Sequence, residues 1–99
     1  MLSIHGTRGK SIYAADGQIK IVTNILNTKR EKVIPIQTIT GINIRKPGFL
    51  AKGFIQVQVS GQNTSAYGPA LDDNSVMFAK EKDYKIALAI QEYINERTI

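Results

Sequence analysis

EKDYKIALAIQEYINER, residues 81–97, is the stretch that decides the fold. Ile86, Ile90, Tyr93 and Ile94 recur in it at three- and four-residue spacing, with Ala87 beside them, and together they make one apolar helical stripe. Glu81 and Asp83 in the first turn and Arg97 near the end complement the helix dipole. From Ile12 to Phe78 the chain reads instead as short alternating strands broken by turns. One amphipathic helix after such a run predicts a mainly β fold. The expected form is a partly open antiparallel barrel of about seven strands, with one mouth covered by the C-terminal helix.

Upstream of the helix, Ser75 to Ala79 is the last strand, with Val76 and Phe78 inward. Gly53 to Ser60 alternates most cleanly: Ile55, Val57 and Val59 point one way, and Phe54, Gln56 and Gln58 the other. Between these two strands, Gly61 to Asp73 is a long polar connection containing Gly68-Pro69. Gln37 to Lys46 places Ile42 and Ile44 on one face, with Asn43 and Arg45 opposite and a bend at Gly41. Lys46-Pro47-Gly48 is a turn, after which Phe49-Leu50 is expected to pack back on the barrel rim. Pro35 has no amide proton to give a ladder, so Lys32 to Ile36 is a short, edge or bulged strand. Gln18 to Ile25 pairs with Ser11 to Ala15 through Asp16-Gly17, a dipeptide that tolerates the positive φ of a tight hairpin. Asn27 to Arg30 reads as the next turn, and His5 lies in a frayed tail.

Ninety-nine residues with 42% hydrophobic content supply one core, so residues 1–99 are expected to form a single domain. There is no cysteine, which excludes a disulfide frame and thiolate zinc sites. The first residues lack the apolar run of a secretory signal, and no stretch approaches the roughly 18 apolar residues of a membrane span. A soluble, cytoplasmic protein is expected. The charge of +5 is lopsided: residues 1–52 carry nine basic against two acidic side chains, while residues 53–99 carry four against six. Such asymmetry steers anionic partners or, more plainly, keeps strand edges soluble.

Certain stretches resemble a bacterial branch of the pleckstrin-homology-like superfamily, small domains of largely unknown function. They are Glu31-Lys32-Val33-Ile34-Pro35-Ile36 with Ile39-Thr40-Gly41-Ile42, then Lys46-Pro47-Gly48, then Gly53-Phe54-Ile55-Gln56-Val57. Asp72-Asp73-Asn74-Ser75-Val76-Met77-Phe78, leading into the helix, completes a resemblance that spans roughly residues 10 to 95. It implies the strand order and terminal helix of that fold and carries no reaction. Members of the superfamily often hold inositol phosphates by basic residues around the first hairpin. Here Asp16-Gly17 is acidic, with only Lys10 before it and Lys20 after it, so such a pocket is not expected.

Chemistry is sparse. His5, the single histidine, lacks the partners that a base or metal needs. Asp72-Asp73 followed by asparagine suits an Asx turn better than an ion site. Gly6 and Gly9, with Arg8 and Lys10, match neither phosphate-binding fingerprint, and no G-x-S-x-G elbow is present. A non-enzymatic module without a cofactor is expected. It would bind a protein partner, one with acidic character, through Lys29, Arg30, Lys32, Arg45, Lys46 and Lys52. Self-association into a homo-oligomer is a version of the same idea, and so is a small phage or bacterial inhibitor of a host protein. The alternative is a nucleic acid or an anionic membrane held on the basic face. It is weakened by scarce stacking residues, since only Tyr13, Phe49, Phe54 and Tyr67 lie outside the last strand and helix.

Overall fold

The computed structural model describes residues 1–60 and 74–98, and among them the chain forms seven strands and one helix. β1 (Leu2–His5), β2 (Lys10–Ala15), β3 (Gln18–Ile25) and β4 (Thr28–Pro35) make an antiparallel meander in that order. A 3-10 turn at Ile36–Thr38 carries the chain into a second meander of β5 (Ile39–Arg45), β6 (Gly53–Val59) and β7 (Ser75–Phe78). The helix α1 spans Glu81–Arg97. The expected mainly β fold with a terminal helix is present, arranged as two sheets, and the described residues close no barrel. The connection over residues 61–73, with the Asp72-Asp73 pair and Tyr67, lies outside the described residues.

Two tight turns set the first sheet. Asp16 (φ 54°) and Gly17 (φ 72°) occupy the left-handed region as the Asp-Gly signal requires, and this puts Ala14 opposite Ile19. The second hairpin turns at Leu26 (φ 51°) and Asn27 (φ 64°), earlier than the polar stretch predicts. β4 is therefore longer than expected, and Lys29 and Arg30 belong to a strand rather than a turn. Register then lines up the inward rows Ile4, Ile12, Ile21 and Ala14, Ile19, Ile34. All six of these side chains are buried. The frayed tail is also corrected: β1 pairs with β2 along its length, and Ile4 is 1% exposed in the core. His5, on the opposite face, meets the Tyr13 ring edge-on and shares a hydrogen bond with Ser11.

In the second sheet, Ile44, Ile55 and Val76 form one cross-strand row, and Phe78 is buried at its end. Gln56 departs from the outward reading: it is 6% exposed, and Asn43 Nδ2 donates to its Oε1 at 3.0 Å across the ladder. A satisfied amide tolerates burial that a lone one would not. The two sheets touch where Thr7 N–H donates to the Met77 carbonyl at 2.9 Å. α1 packs against β1, β5, β6 and the 3-10 turn, burying Ala87, Ile90 and Ile94. At its far end the Tyr93 hydroxyl accepts the Gly17 amide proton at 2.9 Å, fixing the helix to the first hairpin turn. Ile86 and Tyr93 flank the stripe half-buried.

Two substitutions test this arrangement. Ile90→Ala empties a site that is 0% exposed and should cost about 2–5 kcal/mol in urea unfolding. Leu26→Asn replaces a bulky, 91% exposed side chain at positive φ with a residue that tolerates that region, and should stabilise by about 0.5–1 kcal/mol. A neutral Ile90→Ala would mean the helix does not seal the interior.

Candidate functional site

The six basic residues singled out by the sequence fall in two separate groups, one on β4 and the other at the connection from β5 to β6. Lys29, Arg30 and Lys32 lie on β4, an edge strand of the first sheet. Strand alternation puts Arg30 and Lys32 on the side of buried Ile34, and Lys29 on the opposite side with Glu31 and Val33. Lys32 Nζ donates to Asn74 Oδ1 at 2.6 Å, which ties β4 to the start of β7. Ile21, Thr23, Arg30, Glu31 and Lys32 border a recess of about 180 Å³ there. On the other side, Glu31 takes both Lys29 (3.4 Å) and Lys20 (3.6 Å) in solvent-exposed pairs. Exposed pairs of this kind contribute little to stability, so these side chains can change partner at small cost.

The outward surface of β2, β3 and β4 forms an open hollow of about 580 Å³. Tyr13, Gln18, Lys20, Val22, Lys29 and Glu31 are among its lining residues. Its mixture of an aromatic ring, a few small apolar side chains and several donors and acceptors suits an extended peptide better than a small apolar ligand.

Arg45, Lys46 and Lys52 stand at the connection from β5 to β6, beside the start of α1. Arg45 lies 4.8 Å over the ring of Phe54, its cross-strand partner, and donates twice to the Lys52 carbonyl, from Nε at 3.0 Å and from Nη2 at 2.7 Å. The guanidinium thus spans the mouth of the loop. Lys46 Nζ reaches Glu81 at 3.6 Å and lies 5.9 Å from the Tyr84 ring centroid, bracing the loop against the helix. Gly53 completes the base. A Cβ there would fall 2.5 Å from the Arg45 carbonyl oxygen and 2.7 Å from the Phe78 ring, so only glycine lets the exit strand pass so near the entry strand.

Above this base Gly48 N–H donates to the Ala51 carbonyl at 2.8 Å, closing a small ring around Phe49 and Leu50. Both side chains project into solvent, 100% and 92% exposed. The expectation that they pack on the rim is therefore wrong. Beneath the loop it is Phe78, buried in the core, that lies against Gly53. An adjacent aromatic and aliphatic pair between cations was readable in the sequence as KPGFLAK, residues 46–52. The direction in which the pair points was not.

Among the described residues, no three His, Cys, Asp or Glu side chains gather as a metal ion would need. No described helix is long and apolar enough to cross a membrane. The chain matches no family model, no curated protein and no solved structure.

The loop base yields a contrast. Gly53→Ala should lower stability by about 1–3 kcal/mol, because the surrounding atoms are backbone and a packed ring. Lys46→Ala, at an exposed ion pair, should change stability by less than about 0.5 kcal/mol. Equal losses for the two, read from denaturant midpoints, would show that the ion pair rather than close packing holds the loop.

Proposed function

We propose that this chain is a non-enzymatic module of pleckstrin-homology-like architecture that binds an acidic segment of another protein along β4. The observation that carries this reading is the β4 edge itself. It is an eight-residue strand at the end of its sheet, with Lys29, Arg30 and Lys32 on it and an open hollow next to it. An extended segment can add to such an edge through backbone hydrogen bonds, while the side chains choose which segment. Cations outnumber Glu31 along the strand, so a complementary segment is acidic. The same charges disfavour pairing of two copies through β4, since like charges brought opposite one another are destabilising. A hetero-partner therefore fits better than a homo-oligomer at this edge.

The pleckstrin-homology-like assignment is supported by the order of a four-strand meander, a three-strand meander and a terminal helix, together with the sequence stretches that resemble that family. Under this proposal, a phage or bacterial inhibitor of a host protein is one form that the module would take.

The test compares the whole chain with a Lys29→Glu/Arg30→Glu variant in crosslinking capture from native lysate, with and without nuclease. Both side chains are exposed, so the variant should keep its thermal midpoint within a few degrees. It should lose the captured protein about tenfold or more. Unchanged capture by the variant rules out β4 as the contact. Capture that vanishes on nuclease treatment would assign the cations to nucleic acid instead.

A further inference from the structure

Phe49 and Leu50 raise a question that the β4 edge does not answer. Single exposed apolar side chains are ordinary on protein surfaces. Here an aromatic and an aliphatic residue stand next to each other, almost wholly in water, at the end of a loop held by Arg45 and by the Gly48–Ala51 bond. Bracing of this kind lowers the ordering cost of any association made through the tip.

We infer that the Phe49–Leu50 tip inserts into the interfacial layer of an anionic lipid surface, with Lys46 and Lys52 meeting the headgroup phosphates behind it. Two observations, together with one property of lipid surfaces, favour lipid over a protein pocket. The tip offers two adjacent exposed apolar residues, whereas a stable protein interface buries about 800 Å² on each side. A lipid surface needs no matching shape, only apolar side chains that reach about 5–10 Å into the boundary between headgroups and acyl chains. The cations are also placed for it. Arg45, Lys46 and Lys52 bound the loop, and exposed Lys80 and Lys82 lie on either side of Glu81, so positive charge outweighs Glu81 and Asp83 around the base. The Lys46 and Glu81 side chains are 61% and 56% exposed, which leaves Lys46 able to turn toward a phosphate. Two apolar residues and a few cations give reversible binding, so each of them should matter measurably.

The chain contains no tryptophan, so Phe49→Trp creates a reporter unique to the tip. Its emission should shift to the blue when vesicles of equal parts phosphatidylserine and phosphatidylcholine are added. It should shift far less with phosphatidylcholine alone, and the anionic effect should weaken with salt. In flotation with the same vesicles, Phe49→Ser/Leu50→Ser should reduce binding about tenfold or more, and Lys52→Glu about fivefold. Both variants should keep the wild-type thermal midpoint. No blue shift with anionic vesicles overturns the inference, as does a tip double variant that floats like the wild type. If the tip double variant loses a captured protein while vesicle binding is unchanged, the tip belongs to a protein interface and the lipid assignment falls.

Discussion

The burial of Ala87, Ile90 and Ile94 is the interaction on which the rest of the structure depends. The two sheets supply a lining of isoleucine and valine, yet they share no continuous ladder among the described residues and leave one side open. With no cysteine and no grouped metal ligands among the described residues, apolar packing holds the halves together. The helix stripe touches β1 of one sheet and β5 and β6 of the other, so its side chains serve both halves at once. Ile36, fully buried in the turn between the sheets, adds a second point where the halves meet.

A frame of this kind leaves its outward edges and loops free to vary, since little of the core depends on them. Lys29 and Arg30 sit on a ladder whose inner row is set by Ile34, and Phe49 and Leu50 sit on a loop whose base is set by Gly53 and Phe78. In both places an exposed group is held by a buried one. The two surfaces belong to different sheets and have different characters, one a charged strand edge and the other an apolar tip.

Much of the fold was legible because period-2 alternation marks a half-buried sheet directly. The Ile55 and Val57 row, the inward Val76 and Phe78, and the Asp16-Gly17 hairpin all stand where the pattern places them. Departures occurred where partners distant in sequence decide. β1 offers only Leu2 and Ile4 as inward residues, too few for a periodic signal, and its strand character comes from pairing with β2. Gln56 looks solvent-facing until Asn43 is seen opposite it. The Leu26–Asn27 turn lacks the glycine that normally marks such a hairpin, and this hid the length of β4. For the candidate site, the identities of the cations were readable. Their pairing with Glu31, Asn74, Phe54 and Glu81 depends on register, and composition does not report register.

The hydrogen bond from Gly17 to Tyr93 joins residues 76 positions apart. Closing so large a loop costs chain entropy before any contact rewards it. The helix has its full set of contacts only when the first hairpin is also formed, because the turn supplies the amide proton that the Tyr93 hydroxyl accepts. Hairpin turn and helix therefore stabilise one another, and opening this bond from either end weakens the cover over the isoleucine rows.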